Sequence, residues 1–321
     1  MSNLDPHPEE TLCRTAADDH AVAVLLSPRD VPLGGLRGIH VDRLLPQRGL
    51  PTVGAWCFLD SFGPNNTQMT VLPHPHTGLQ TVTWPLAGEI HHRDSTGADV
   101  LVRPGQLNLM TGGHGVAHSE ISAAGGELLH GLQLWVALPA ASASAPAAFE
   151  QHVALPEYVQ DGVTATVFIG ELAGERSPAT VYSPLVGAEL AVAAGSRTTI
   201  PLRADFEHAI LPIDGPLVVS GVEVPPTRLL YLGTGRSEIM LSAGSRPVRA
   251  VLLGGEPFAD ELVMWWNFVG RSHDEIAAAR AAWEAGDESR FGVVHGHGGA
   301  RIPAPELPRV RLTPRRHRHR R

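Results

Sequence analysis

The chain has no lysine, and all 25 of its basic residues are arginine. With 33 acidic residues the formal net charge is −8. This negative charge argues against general nucleic-acid binding by the folded body, which would need a basic surface. We interpret the missing lysine as a compositional bias and not as a sign of particular chemistry.

Cysteines and long apolar segments are also scarce. Cys13 and Cys57 are the two cysteines, too few for a disulfide framework. The longest apolar runs, such as 21–26, are too short to cross a bilayer. The first ten residues lack the basic region and apolar core of a signal peptide. We therefore expect a soluble cytoplasmic protein that does not contact a membrane.

Glycine and proline are abundant instead, with 34 and 27 residues spread along the chain. Turn signals recur at a spacing of roughly ten residues, which is typical of short strands in an all-β sandwich or barrel. A second β-rich region follows the first, with a similar turn at Pro212–Pro216. The sequence therefore predicts two tandem β modules that arose by internal duplication.

The expected organisation has five parts. A helix should begin at the capping box formed by Ser272 and Glu275 and end at Gly286. The predicted parts are a lead-in over 1–36, a metal-binding module over 37–138, a linker over 139–162, a second module over 163–292 that ends in the helix, and a disordered basic tail over 293–321.

Two short motifs carry the clearest chemistry: His74-Pro75-His76 and His118-Ser119-Glu120. Residues i and i+2 of a strand point to the same face, so each motif would present two metal ligands together. If both strands belong to one barrel, three imidazoles and one carboxylate converge on a mononuclear metal. A single HxH pair is weak evidence in a chain with 17 histidines. The other two pairs, 295/297 and 317/319, lie in glycine- and arginine-rich surroundings and are interpreted as tail.

The type of ligand leaves the metal open. Imidazole nitrogen and carboxylate oxygen suit iron, manganese, cobalt, nickel, copper or zinc. Four protein ligands leave two positions of an octahedron for a substrate or O2. Before its helix the second module has neither an HxH nor an HxE motif, so we expect it to bind no metal and to serve packing or partner contact.

Several neighbouring residues have alternative interpretations. His114 would rival His118 as a ligand in a helix, but the glycines around it argue against one. For Gln80, a hydrogen bond near the metal is slightly favoured over direct ligation. His91, His92 and His130 are interpreted as surface residues or as hydrogen-bond partners of the ligands. An uninterrupted strand from His74 would point one set of side chains into the barrel, unless Gly78 hosts a bulge. That set comprises His74, His76, Gln80, Val82, Trp84 and Leu86.

The motifs resemble those of the pirin family of the cupin superfamily over about 37–292. The resemblance rests on Phe58–Pro64, His74–Thr83, His92–Ser95, His118–Glu120, Gly131–Val136 and Asn267–Val269. It implies two tandem cupin (double-stranded β-helix or jelly-roll) barrels, with a metal in the N-terminal barrel alone. The implied ligands are His74, His76, His118 and Glu120, and the usual metal is iron. Gln80 stands where many members carry glutamate, and this change would lower the local negative charge and could remove a base.

Some family members are similar to quercetin 2,3-dioxygenases, and others regulate transcription or metabolic enzymes. The first expectation is an iron-dependent dioxygenase that acts with O2 on flavonol-like or enediol substrates, in which Glu120 takes the substrate proton. The alternative is a metal- or redox-dependent module that binds a protein partner. A third reading is a structural double barrel without metal.

Overall fold

The computed structural model describes residues 11–13, 22–33, 39–66, 68–122 and 127–314. An N-terminal arm contributes the short strands β1 (Thr11–Cys13) and β2 (Val24–Leu26). The first barrel is built from β3 (Arg29–Leu33), β4 (Ile39–Leu45), β5 (Trp56–Asn65), β6 (Thr70–His76), β7 (Leu79–Ala87), β8 (Ile90–Asp94), β9 (Asp99–Val102), β10 (Leu107–Thr111), β11 (Val116–Ser122) and β12 (Leu129–Ala137).

A connecting segment follows, with a short 3-10 turn at Ala140–Ser142 and the strands β13 (Ala148–His152) and β14 (Glu157–Gln160). The second barrel is built from β15 (Val163–Leu172), β16 (Glu175–Arg176), β17 (Leu185–Val192), β18 (Arg197–Pro201), β19 (Glu207–Pro212), β20 (Leu217–Val219), β21 (Val222–Val224), β22 (Leu229–Gly233), β23 (Glu238–Ala243) and β24 (Val248–Gly255). The chain then forms β25 (Leu262–Trp265), β26 (Phe268–Gly270), α1 (His273–Glu284) and α2 (Glu288–Phe291).

Each barrel consists of a large sheet and a small one. In the first barrel their orders are β13-β10-β7-β12-β5-β4-β3 and β6-β11-β8-β9. In the second barrel they are β14-β15-β17-β24-β19-β22-β2 and β18-β23-β20-β21. The two small sheets correspond in the order given, and the two large sheets correspond when the second is read from β2 to β14. Strand β16, which pairs with β15, is an addition in the second barrel. The predictions of an all-β fold and of two tandem barrels are therefore confirmed.

The two barrels exchange edge strands. The arm strand β2 pairs with β22 of the second barrel, and β13 from the connecting segment pairs with β10 of the first. Both additions cover backbone groups that would otherwise form an open sheet edge. The expected lead-in and linker therefore differ from the structure, because parts of both are strands of the sheets. The alanine- and serine-rich stretch that suggested a linker ends before β13 begins.

The large sheets pack face to face in a shared core. Strands β7 and β12 are buried along almost their whole length, because one face lines the first barrel and the other meets the second. At the centre, the indole Nε1 of Trp56 donates to the carbonyl oxygens of Val186 and Gly254, at 3.1 Å each. Gly54 has φ +52°, and a Cβ there would lie 2.6 Å from the Cα of Gly255. Only glycine allows this close approach of the two barrels.

The C-terminal helix is where the sequence predicted it. Ser272 Oγ accepts a hydrogen bond from Glu275 N at 3.2 Å, and helix α1 ends at Glu284, two residues before Gly286. Its buried face carries Ile276, Ala279 and Trp283. Within the described residues, no helix is both long and apolar enough to cross a membrane.

The predicted disordered tail differs from the structure over residues 293–314, which pack against α1. Trp283 Nε1 donates to the carbonyl oxygen of Ile302 at 2.8 Å, and Ala304 and Leu312 are buried in the same apolar cluster. Apolar residues spaced between prolines let an extended segment bury side chains without regular secondary structure. Residues 315–321 lie outside the described part of the chain.

Candidate metal centre

The two histidine motifs lie on neighbouring strands of the first barrel. His74 and His76 end β6, and His118 and Glu120 lie on the adjacent antiparallel strand β11. His118 is directly opposite His74, and the register shifts between His118 and Glu120. This irregularity changes the direction in which Glu120 points relative to β6.

The three imidazoles converge inside the barrel. The Nε2 atoms of His76 and His118 are 3.1 Å apart, and the ring centroids of His74 and His118 are 4.3 Å apart. One nitrogen from each of the three rings lies within 4.8 Å of the others, and all three residues are 0% exposed. This group could hold a metal ion.

Glu120 joins this cluster through His118. Among the described residues, a second group with ligand atoms within 4.8 Å of one another consists of His92, His118 and Glu120. His92 lies opposite Glu120 on β8 and is 2% exposed. The sequence left His92 between a surface residue and a partner of the ligands. Alternating burial of Ile90, His92 and Asp94 is the signal that places it inside.

The donor set fits a metal. His74 Nδ1 lies 2.9 Å from the carbonyl oxygen of Leu72, which can only accept, so Nδ1 carries the proton. His74 Nε2 then has a lone pair, and this buried atom has no hydrogen-bond partner. The close pair of Nε2 atoms on His76 and His118 likewise needs a proton or a cation between its lone pairs. A buried imidazole nitrogen without a partner, next to two further imidazole nitrogens in contact, fits the donor set of a metal site.

Burial also sets the protonation state of the cluster. Burial lowers the pKa of His74 to about 4, although its contact with Leu72 and the charge of Glu120 oppose the shift. Burial lowers the pKa values of His76 and His118 well below the ordinary range, and the neighbouring imidazoles add to the effect. The rings are therefore neutral at pH 7, which is the form that binds a metal.

The interior of the first barrel next to these imidazoles, which we call the chamber, has a polar wall on β7 and β12 of the large sheet. Thr83 Oγ1 lies 3.1 Å from Glu120 Oε1 and 3.0 Å from Gln133 Oε1. The single Thr83 proton can serve only one of these two acceptors, and Nε2 of Gln133 has no hydrogen-bond partner. Exchanging the oxygen and nitrogen of the Gln133 amide resolves both points, because Nε2 then donates to Thr83 and the Thr83 proton goes to Glu120. Next to Gln133 in the sheet lies Asp60, which Arg43 holds through two hydrogen bonds of 2.8 and 2.9 Å.

The prediction that alternate side chains from His74 to Leu86 share one face of a single strand is wrong beyond Gly78. Strand β6 ends at His76, and Gly78 has φ +71° in a turn that carries the chain into the other sheet. The even residues of β7, including Trp84, then face the second barrel, where the Trp84 ring stacks on Phe168. The odd face meets the chamber instead, so Thr83 lies where the alternation counted from His74 would not place it.

The turn at Gly78 also changes the direction in which the side chain of Gln80 points. Its Nε2 donates to Thr111 Oγ1 and to the carbonyl oxygen of Thr180 in the second barrel, at 3.1 Å each. Gln80 therefore links the barrels near the site. Neither of these two hydrogen bonds reaches the three imidazoles.

Comparison with known proteins identifies the family. The family model described as Pirin matches residues 38–136, and the Pirin C-terminal cupin domain matches 187–292. The chain belongs to the pirin family. A Pseudomonas aeruginosa protein named "Putative quercetin 2,3-dioxygenase PA1205" is 44% identical over 315 residues, which cover 96% of this chain and 98% of that protein. A pirin-like protein of Caulobacter vibrioides is 34% identical, over 84% of this chain and 96% of its own.

Solved structures agree with this assignment to the pirins. A crystal structure titled quercetin 2,3-dioxygenase from Acinetobacter baumannii superposes with a TM-score of 0.84 at 39% identity. The match covers 90% of this chain and 96% of that one. The cupin architecture expected from the resemblance is therefore shown for both barrels.

Four other histidines considered in the sequence lie outside the cluster. His114 is exposed, so it is not placed to rival His118. His91 faces outward and contacts Asp99, and His130 is half-buried. His297, from the pair assigned to the tail, contacts Ser119 Oγ at 2.9 Å on the outer side of β11.

The strand pair of the second barrel that corresponds to β6 and β11 is β18 and β23. Where the first barrel has imidazoles on facing strands, this pair brings Ile200 opposite Ile239 in an apolar core. The interior of the second barrel is filled by aliphatic side chains, whereas the corresponding interior of the first barrel carries polar side chains.

Proposed function

We propose that this chain is a metal-dependent dioxygenase that uses O2 to oxidise flavonol-like or enediol substrates, with iron as its metal. The ligands would be His74, His76, His118 and Glu120 of the first barrel, and the second barrel would bind none. The observation that carries the proposal is the convergence of three neutral, buried imidazoles beside a carboxylate. The names of the relatives support the choice of reaction.

Iron at this position would supply Lewis acidity toward a substrate oxygen and electron exchange with O2. The chain's own residues prepare the site. The hydrogen bond from His74 Nδ1 to Leu72 points the Nε2 lone pair of His74 into the cluster. Low pKa values keep protons from competing for the same nitrogens at neutral pH.

Glu120 would take the proton of the substrate hydroxyl. Thr83 donates to its Oε1 and holds the carboxylate in one orientation beside His118. A carboxylate fixed at hydrogen-bonding distance of the substrate can act as a general base. Deprotonation turns the hydroxyl oxygen into the better metal ligand.

Aromatic walls exclude water from the same chamber. Trp135 meets His76 edge to face at a centroid distance of 5.2 Å, and Phe58 stacks on Trp135 at 4.0 Å. Both aromatic residues are buried. A dry wall strengthens the electrostatic effect of the carboxylate and protects oxygen-sensitive species from side reactions.

The test combines metal analysis with oxygen uptake. Iron-loaded protein should bind a flavonol such as quercetin anaerobically, seen as a shift in its visible absorption, and should consume O2 when air is admitted. The variant His118→Ala should lose both, and the exposed control His114→Ala should keep both. Full iron occupancy with no turnover of any flavonol or enediol would reject the dioxygenase proposal.

One observation favours a second function, a metal-dependent module that binds a protein partner. His74, His76, His118 and Glu120 are each 0% exposed, so the metal could act by changing barrel packing without meeting a large substrate. In that case hydrogen exchange of β6 and β11 should slow on metal loading, and affinity for a partner should follow the iron oxidation state. Identical exchange in metal-free and loaded protein would remove this alternative.

A further inference from the structure

We propose that His92 and Asp94 are positioning residues that fix the tautomer of His118, so that its Nε2 lone pair faces the metal site. This inference deepens the proposed function, and it rests on that function for its purpose. Its geometric basis is independent: a line of hydrogen-bonding atoms runs from a fully engaged carboxylate, through one imidazole, to another.

The Asp94 end of the line is fixed. Its Oδ1 accepts hydrogen bonds from Thr96 N at 2.8 Å, Thr96 Oγ1 at 2.6 Å and Ala98 N at 3.1 Å. Burial raises the pKa of the Asp94 carboxyl, but hydrogen bonds from His92 and Thr96 outweigh it and leave the pKa below the usual value. Asp94 is therefore an ionised acceptor.

His92 receives its orientation from Asp94. Its Nε2 lies 3.0 Å from Asp94 Oδ2, and because a carboxylate only accepts, Nε2 carries the proton. In a neutral imidazole only one of the two ring nitrogens carries a proton. Nδ1 of His92 therefore presents a lone pair. Phe149 of β13 stacks on the ring at a centroid distance of 4.5 Å and holds its plane.

His118 completes the line. Its Nδ1 lies 3.4 Å from Nδ1 of His92, so His118 donates there and keeps its lone pair on Nε2. That Nε2 is the atom 3.1 Å from Nε2 of His76. His74 reaches the same tautomer by its separate bond to Leu72. Two of the three imidazoles are thus preset for coordination through Nε2.

The geometry also defines a rival arrangement, in which His92 is itself a ligand together with His118 and Glu120. In that arrangement Nδ1 of His92 would bind the metal and would not accept a proton from His118. The two arrangements predict different nitrogen environments, so one experiment separates them.

The variant Asp94→Asn is the sharpest probe, because three donors surround Oδ1. The asparagine oxygen must take that position, which turns the amide NH2 toward Nε2 of His92. His92 then accepts at Nε2 and carries its proton on Nδ1, so Nδ1 of His118 must accept. The proton of His118 moves to Nε2 and faces the metal site. An almost isosteric change therefore reverses the tautomer.

Asp99→Asn provides the matched control. Asp99 pairs with His91 and Arg93 on the outer face of the same small sheet. It offers the same substitution, beside a histidine of the same strand, without contact to the chamber. His91 and His92 are consecutive residues whose side chains point to opposite faces of β8.

The experiment is nitrogen-15 NMR of histidine-labelled, metal-free protein, followed by titration with Zn2+. Wild type and Asp99→Asn should show His118 protonated at Nδ1 and not at Nε2. Asp94→Asn should show the reverse, and its affinity for Zn2+ should be about 10–100-fold lower. Thermal unfolding of each variant checks that the fold is retained.

A His118 protonated at Nε2 in the metal-free wild type would overturn the inference, even if Asp94→Asn fails to fold. So would a zinc-induced shift at Nδ1 of His92, which would mark it as a ligand. If wild type binds no metal at all, the proposed function fails, but the tautomer in the metal-free protein still decides the present inference.

Discussion

His118 lies opposite His74 on paired strands, yet Glu120, two residues further, pairs with Val71 because the register slips between them. A regular antiparallel ladder would have continued the pairing of His118 with His74 to Glu120 without a shift. On the other side of β11 the pairing with β8 is regular, and it places Glu120 opposite His92. The motif His118-Ser119-Glu120 therefore places an imidazole beside the histidines of β6 and a carboxylate beside His92 of β8.

The variant His76→Ala should lose most of its bound metal. Its Nε2 faces that of His118 at 3.1 Å, and removing one of four donors weakens the site. Elemental analysis of purified protein should give about one metal per chain in wild type and a small fraction of that in the variant. The control His114→Ala removes an exposed imidazole and should retain the wild-type value. Equal occupancy in both variants would contradict the ligand assignment.

The variant Thr83→Val should weaken metal binding without unfolding the barrel. It keeps the side-chain shape but removes the hydroxyl that donates to Glu120 Oε1. Loss of a hydrogen bond that orients a ligand costs about 10-fold in metal affinity. Titration with Zn2+ measures it. Thr166→Val, at a threonine of the second barrel that contacts Glu157, is the comparison and should leave the affinity unchanged. A similar loss in both would indicate a general effect on packing.

Glu207 should make stability depend on pH. Burial raises the pKa of its carboxyl to about 7, although Tyr231 and Gly54 donate hydrogen bonds that oppose the shift. The folded state then holds its proton more tightly than the unfolded chain, whose carboxyl has a pKa of about 4.3. The contribution of Glu207 to stability is therefore present below about pH 4 and is lost as the pH rises to about 7. The loss is on the order of 3 kcal/mol.

Glu207→Gln cannot ionise, so it should remove that loss. Denaturant unfolding at a series of pH values from 5 to 8 should show stability falling more steeply in wild type than in the variant. The comparison between the two curves isolates Glu207 from the buried histidines, whose lowered pKa values act in the opposite direction. Parallel curves would show that Glu207 does not titrate in this range.

Truncation after Gly292 should destabilise the C-terminal helix. It removes the carbonyl oxygen of Ile302, which accepts from Trp283, and the buried side chain of Leu312. Losing a buried partner and apolar contacts of this kind costs about 2–4 kcal/mol. Truncation after Pro314 keeps all of these contacts and should leave the melting temperature unchanged. Thermal unfolding of the two truncated proteins makes the comparison, and equal melting temperatures would contradict the packing role of 293–314.

Local patterns were enough to predict the architecture. The recurring turn signals, the capping box at Ser272 and the two i, i+2 motifs each depend on neighbours a few residues apart. The structure has the corresponding strands, helix and paired motifs in these places. That the four motif side chains bind a metal stays a prediction, because it needs an ion and not a pattern.

Other features depended on contacts that no local pattern contains. The turn at Gly78 moves the chain from one sheet to the other, so the alternation counted from His74 does not continue into β7. Thr83 therefore reaches Glu120, while Trp84 reaches Phe168 of the other barrel. The exchange of β2 and β13 between the barrels is equally non-local.

The sequence by itself determined the strand-rich fold, the capped helix and the residue types able to hold a metal, because these follow from side-chain chemistry and short-range periodicity. The tertiary structure alone decided that His92 and Asp94 lie behind His118 and that Thr83 steadies Glu120. Those contacts join strands far apart in the chain, and their register is set by packing of whole sheets rather than by any single segment.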